Sequence, residues 1–78
     1  MSEFDAYISD TDKAVIIQQR IRQFAAEGYQ QELNKDLAEK SDNQEAVEQT
    51  VIAIEAIKSA IAVQQEALEK LDLSDKEE

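Results

Sequence analysis

The sequence contains no Cys, His, Pro or Trp, and it has a single Gly. Without Cys and His, the chain cannot build the usual zinc or haem site, nor a Ser-His or Cys-His catalytic pair. Without Pro and with so little Gly, it lacks the turn residues that a multi-stranded sheet requires. A chain of 78 residues has room for one small domain. These absences predict an all-α domain that is not an enzyme and holds no cofactor or metal.

Negative charge is in excess, and most of it lies near the two ends of the chain. The sequence has 18 Asp and Glu against 8 Lys and Arg, which gives a net charge of −10. Residues 1–12 carry −4 and residues 72–78 carry −3, whereas the long central part carries only −3. Phosphate backbones and anionic membranes repel such a chain, so we expect neither nucleic acid nor membrane as a partner.

No part of the sequence reads as a membrane or export signal. Apolar runs are only a few residues long, far below the roughly 18 that a membrane-spanning helix needs. The first residues are acidic, unlike the basic start of a secretory signal. We therefore expect a cytoplasmic protein.

The residue pattern predicts two long helices, over residues 10–40 and 44–71. Both ranges are rich in Ala, Gln, Glu, Lys and Leu, which are strong helix formers. The stretch Ser9-Asp10-Thr11-Asp12 offers oxygens that can cap the first helix and acids that suit the positive end of its dipole. Residues 1–9 then form an acidic N-terminal segment, and residues 72–78 an acidic disordered tail.

Residues 41–43 are the predicted turn between the helices. Two short polar side chains in this region are followed three residues later by Gln or Glu, the spacing of a capping box. The two candidate pairs are Ser41 with Gln44 and Asp42 with Glu45. We expect the second helix to begin at one of these caps.

A seven-residue repeat runs through the second helix. In heptad notation, the g column is Ala46, Ala53, Ala60 and Ala67, the a column is Val47, Ile54, Ile61 and Leu68, and the d column is Thr50, Ile57, Gln64 and Leu71. Four heptads in register are typical of a coiled-coil helix. Because alanine is small, the g column favours a closely packed antiparallel pair.

Two helices of similar length joined by a short turn are expected to pack as an antiparallel hairpin. Folding back at the turn places Leu37 near Val47, Gly28 near Ala56, and Phe24 near Ala60 and Ile61. The predicted core and self-association seam comprises Ile17, Ile21, Phe24, Gly28, Leu33, Leu37, Ala46, Val47, Ala53, Ile54, Ile57, Ala60, Ile61, Ala67 and Leu68. Thr50 and Gln64 are polar seam residues, which we interpret as fixing the helix register or the oligomeric state.

Gly28 leaves two architectures open. It is either a close-contact residue inside one continuous helix, or a C-cap that divides the segment into two helices and makes the fold three-helical. The helical spacing survives across Gly28, which favours the continuous helix.

One hairpin of this size buries too little apolar surface to be very stable by itself. Further apolar residues remain outside the predicted seam: Val15, Ile16, Ala26, Val51, Ile52, Ala62 and Val63. We therefore expect a homo-oligomer, with dimerisation completing a four-helix bundle, or docking on a partner protein. The alternative is a marginally stable monomer in which Phe4, Tyr7 and Ile8 fold back as a lid.

Three further groups of residues are candidate sites, and each has a simpler interpretation. The helix carboxylates fall at solvent positions, so an all-carboxylate metal site is not expected. Arg20 and Arg22 could form a small basic patch, but exposure or pairing with Glu explains them. Tyr29 could stack on a ligand, but a half-buried Tyr at the edge of a bundle is more common.

These observations predict a non-catalytic structural or interaction protein that acts through helical self-assembly or by docking on a partner. The alternative is a small acidic inhibitor, of the kind that phages encode, which imitates nucleic acid and blocks a basic surface. The chain has the acidity for that role, but the body of the hairpin carries little of it.

Overall fold

The computed structural model describes residues 3–71. It contains two helices, α1 (Asp10–Lys40) and α2 (Gln44–Glu69), which pack against each other in antiparallel orientation. The predicted all-α fold with two packed helices is confirmed. The observed bounds of α1 coincide with the predicted ones, and α2 ends two residues before its predicted end. The predicted acidic tail, residues 72–78, lies outside the described residues.

The start of α1 is fixed by a capping box at Ser9. The Ser9 hydroxyl oxygen accepts a hydrogen bond from the Asp12 backbone N–H at 3.1 Å, and the Asp12 carboxylate accepts one from the Ser9 N–H at 3.3 Å. Asp10 and Asp12 both lie in the first turn, where negative charge stabilises the helix dipole.

The end of α1 is a left-handed turn at Asp42, whose φ is +60°. The Asn43 N–H donates to the Ala38 carbonyl at 3.0 Å, and the Asp42 N–H donates to the Glu39 carbonyl at 3.1 Å. These two bonds are those of a Schellman motif, in which glycine is the usual left-handed residue. Asp42 tolerates this conformation better than most residues, because short polar side chains are the next most frequent there.

The cap of α2 is Asn43, whose side-chain oxygen accepts from the Ala46 N–H at 3.2 Å. The predicted caps at Ser41 and Asp42 are wrong. Both residues belong to the end of α1, where the Ser41 N–H donates to the Leu37 carbonyl at 3.0 Å. Since the Schellman motif holds both backbones, the first position left to cap α2 is Asn43.

Gly28 lies inside the continuous helix α1, so the three-helix alternative is wrong. Its φ is not positive, and a Cβ added to it would lie 3.6 Å from Cγ2 of Ile57, an ordinary contact distance. A single Gly costs a helix only about 1 kcal/mol, which the helix formers around it offset. Ile57 is one residue beyond the predicted neighbour, Ala56.

The hairpin is elongated. Its radius of gyration is 17.2 Å, whereas a compact domain of 78 residues has about 12 Å. In the described residues, neither helix is both long enough and apolar enough to cross a membrane.

Candidate functional site

The heptad columns of α2 decide which of its faces meets α1. Every a, d and g residue from Ala46 to Leu71 is partly or fully buried, and every other residue of α2 is exposed. The predicted seam residues found on this face are Ala46, Val47, Ala53, Ile54, Ile57, Ala60, Ile61, Ala67 and Leu68. The seven-residue spacing therefore located the packed face of α2 along its whole length.

The seam of α1 agrees with the prediction only in its first half. Ile17, Ile21, Phe24 and Gly28 are half-buried and lie in the seam. Beyond Gly28, the predicted Leu33 and Leu37 do not lie in the seam, because their side chains are 50% and 67% exposed. The residues that continue the seam are Gln31, Lys35 and Ala38.

The leucines of α1 leave the packed face after Gly28, because their spacing no longer matches the helical rotation. Each residue turns an α-helix by about 100°, so Leu33, five residues after Gly28, lies about 140° around the helix from it. Alternating steps of three and four from Gly28 lead instead to Gln31, Lys35 and Ala38. That strict alternation was the available signal, but two polar side chains concealed it.

The seam consequently differs between its two halves. The open half, next to the chain ends, takes large side chains from α1: Ile17, Ile21 and Phe24. The loop half, next to residues 41–43, takes from α1 only Gly28, Gln31, Lys35 and Ala38. In the loop half, the large apolar seam residues all come from α2.

The polar seam residue Thr50 has its hydrogen bond inside its own helix. It is 9% exposed, and its hydroxyl donates to the Val47 carbonyl at 2.7 Å. Within residues 3–71 no buried side-chain nitrogen or oxygen lacks a partner. Thr50 is thus accommodated without a polar partner on α1, and its predicted role in fixing the register stays a prediction.

One long side of the hairpin is poor in charge, and we call it the alanine side. It displays the g-column alanines of α2, with Ala56 and Val63 exposed beside them. At the loop end, a shallow depression on this side lies between Leu37, Ala38 and Ala46.

The opposite long side is polar, and we call it the charged side. A groove there is lined by Glu32, Asp36, Glu55 and Lys58, among others. Lys58 Nζ lies 3.8 Å from Glu55 Oε2, and both side chains are 69% exposed. An ion pair this exposed adds little stability.

The described hairpin has very little core. Only Ala14, Ala38 and Thr50 are buried in it, and none of its large side chains is fully buried. The large apolar residues that are exposed are Phe4, Tyr7, Val15, Ile16, Tyr29, Leu33, Leu37, Val51, Ile52 and Val63. The single hairpin therefore leaves ten large apolar side chains of its described residues in contact with solvent.

An apolar cavity of about 570 Å³ lies at the open end, and we call it the open-end cavity. Its apolar wall consists of Phe4, Ile8, Ile16, Ile17, Ala67 and Leu71, and Lys13 and Lys70 complete the lining. Phe4 and Ile8 belong to a turn before α1, in which the Tyr7 N–H donates to the Phe4 carbonyl at 2.9 Å. Tyr7 is 80% exposed, so it is not part of the predicted lid.

Lys13 ties this N-terminal turn to α1. Its ammonium forms an ion pair with Asp5 in the turn, and its Nζ lies 3.6 Å from the Asp10 carboxylate. The hydrogen bond that the Lys13 ammonium donates to the Asp5 carboxylate is the main cause that raises the pKa of Lys13 above its ordinary 10.5, and partial desolvation opposes it. Lys13 therefore stays charged at neutral pH and holds Phe4 and Ile8 beside the cavity.

The remaining candidate residues do not converge on a site. In the described part of the chain, no three acidic side chains come together in a way that could hold a metal ion. Arg20 and Arg22 are both exposed, and Tyr29 is 62% exposed on the outside of α1. The features that can act are therefore the alanine side and the open-end cavity. Comparison of the chain with protein-family models, curated proteins and solved structures finds no match.

Proposed function

We propose that this chain is a non-catalytic structural or interaction protein that associates with a second copy of itself into a four-helix bundle. The observation that carries the proposal is the hairpin's lack of a core. Its large apolar residues lie half-buried in one seam or exposed on the surface. A second hairpin would turn this open seam into the closed interior of a bundle.

The exposed area is sufficient for such an interface. The chain exposes 6243 Å², whereas a compact monomer of 8.8 kDa exposes about 4800 Å². A standard interface covers about 800 Å² on each partner. Two hairpins packed side by side can therefore form a normal interface out of the surplus that one elongated hairpin leaves in solvent.

The alanine side suits a second copy better than the charged side does. A chain with a net charge of −10 repels its own copies, so the interface has to avoid regions rich in acids. The charged side presents Glu32, Asp36 and Glu55, which a copy would meet with more acids. The alanine side offers small residues that allow close approach of helices, with Val63 to fill the space between them.

The test is the native mass measured by light scattering on a sizing column over a hundredfold range of concentration. We expect twice the chain mass of 8.8 kDa, with dissociation only at the lowest concentrations. If the protein is helical but keeps a mass of 8.8 kDa over the whole concentration range, the proposal of self-association is refuted. Docking on another protein would then be the function that is left.

A matched pair of variants locates the interface. Val63→Glu places a charge on the alanine side, and Gln65→Glu places the same charge on an exposed position of the charged side. We expect the first variant to be a monomer and the second to keep the mass of the unmodified protein. Equal masses for the two variants would mean that the alanine side is not the interface.

A further inference from the structure

We propose that the open-end cavity receives Leu37 of a second copy, so that two hairpins pack through their alanine sides with their ends reversed. This arrangement rests on the self-association proposed above and adds to it the residue of the second copy that fills the cavity. Two features of one side of the molecule carry it: an apolar cavity at the open end and a projecting leucine at the loop end.

The open-end cavity opens on the alanine side. Its lining includes Ala67 from the g column of α2 and Ile16 of α1, which is 47% exposed. At about 570 Å³ the cavity has ample room for a leucine side chain, and apart from its two lysines the lining is apolar. Because apolar surface in water is unfavourable, such a cavity is stabilised by an apolar group from outside the hairpin.

Leu37 is the projecting side chain at the other end of the same side. It is 67% exposed and stands beside two small residues, Ala38 and Ala46. Leu37 follows Ile16 by 21 residues, which is three heptads, so both lie in one column of α1, about 31 Å apart along the helix. One side of the hairpin therefore presents both an apolar knob and an apolar hole.

A twofold axis across the middle of the alanine side brings the knobs and the holes together. It reverses one hairpin against the other, so each Leu37 reaches the cavity of the other copy and the same contact forms twice. Near the axis, at the level of Gly28, lie Ala56 and Ala60, whose small side chains let the α2 helices of two copies approach closely. With the ends together, each cavity would face the other cavity instead.

Charge also favours the reversed arrangement. Residues 3–12 hold four acids and no base at the open end. Hairpins with their ends together would bring twice that number of acids to one place, whereas reversed hairpins, each 55 Å long, keep the two groups apart. The cavity's Lys13 and Lys70 then face the depression at the loop end, whose lining carries no charge. The charges of α1 in the same column as Lys13 are Arg20 and Glu27, one of each sign.

The test is cross-linking between variants with one cysteine each, since the chain has no Cys of its own. Leu37→Cys is mixed with Ile16→Cys at a concentration at which each has the native mass of a dimer, and a short bifunctional maleimide is added. We expect a covalent dimer in the mixture and almost none in either variant alone, because the twofold axis keeps the two copies of each position about 31 Å apart. As a control, Ile52→Cys changes an isoleucine that is 69% exposed and lies outside the cavity, and in place of Ile16→Cys it should give almost no product.

The outcomes separate this arrangement from self-association itself. Cross-linking of Leu37→Cys to itself, or equal yields with Ile16→Cys and Ile52→Cys, would overturn the reversed arrangement. A dimeric mass with no product in the mixture of Leu37→Cys and Ile16→Cys would overturn it too and leave self-association intact. A mass of 8.8 kDa for the unmodified protein would refute self-association and this arrangement with it.

The strength of the contact is measured as the Kd of the dimer by light scattering on dilution. Leu37→Ala should raise the Kd about a hundredfold, about tenfold for each of the two leucines removed from a cavity. Leu33→Ala removes a leucine that is 50% exposed in another column of α1, and it should change the Kd less than about threefold. Equal effects of the two variants would refute the insertion of Leu37.

Discussion

In the open half and the loop half of the hairpin, the two helices pack in the same way, but α1 contributes different kinds of side chain to the seam. In the open half, Ile17, Ile21 and Phe24 of α1 face the isoleucines and leucines of α2. In the loop half, α1 offers Gly28, Gln31, Lys35 and Ala38, while Leu33 and Leu37 lie exposed. The seam positions of α1 follow alternating steps of three and four residues in both halves, but large apolar side chains occupy them only in the open half.

The difference indicates where the stability of the hairpin comes from. Apolar burial is the main favourable contribution to folding, so the open half should contribute most of it. The loop half has two defined caps, the Schellman motif at Asp42 and the Asn43 cap, which fix the chain reversal. Its exposed leucines contribute little to a single hairpin and are available to another protein.

The largest expected effect is the loss of the Phe24 side chain from the open half. Phe24→Ala should destabilise the hairpin by about 2–3 kcal/mol, somewhat below the usual cost of a fully buried Phe because Phe24 is only half-buried. Urea unfolding followed by circular dichroism at one fixed protein concentration measures the change.

Leu37→Ala is the matched variant in the loop half. Leu37 is 67% exposed in the single hairpin, so in the Val63→Glu background, which we expect to be a monomer, its loss should cost no more than about 0.5 kcal/mol. A cost as large as that of Phe24→Ala in the same background would remove the distinction between the two halves.

The next effect is a gain at the junction of the two halves. Gly28→Ala should stabilise the protein by about 1 kcal/mol through helix propensity. The added Cβ meets Ile57 Cγ2 at 3.6 Å, which is ordinary contact. Ala25→Gly, at an exposed position of the same helix, should lose a similar amount and serves as the control. A loss of stability in Gly28→Ala would mean that the helices approach more closely than this.

A smaller gain is expected at the loop. Asp42→Gly should stabilise the hairpin by about 0.5 kcal/mol, because glycine adopts the left-handed conformation without a steric penalty but loses more entropy on folding. The thermal midpoint should rise by a few degrees, and Asn43→Ala, which removes the cap of α2, should lower it. No rise for Asp42→Gly would show that the aspartate side chain itself stabilises the turn.

The smallest effect is local and depends on pH. The folded pKa of Lys13 is raised, so its tie to Asp5 is intact at neutral pH and is lost as the pH rises above the ordinary value of 10.5. The methyl NMR signals of Ile8 should shift in that alkaline range. In Lys13→Gln the shift should be absent, whereas Lys58→Gln, which removes an exposed lysine, should retain it. If the Ile8 signals still shift in Lys13→Gln, the titration of a group other than Lys13 causes the shift.

Much of the fold could be predicted from local patterns. Short-range chemistry predicts a start of α1 near residues 9–12, a turn near residue 42 and the packed face of α2. The respective signals are capping side chains, a break in helix formers and a repeat of seven. The second half of the α1 seam could not be read in the same way, because Gln31 and Lys35 hide its position and the leucines suggest another face. The cap of α2 was missed because the Schellman motif occupies both residues that were expected to cap it.

The sequence by itself determined that the chain is helical, that it turns back once, and that its charge lies mainly near the two ends, because helix propensity, capping and charge are properties of neighbouring residues. Tertiary structure alone decided which residues share the seam and that the N-terminal turn completes a cavity with the last turn of α2. The physical reason is that burial depends on the rotation of each helix against the other. If the seam of a helix shifts by one residue along the sequence, the helix is rotated by about 100°, and a leucine that would have been buried becomes exposed.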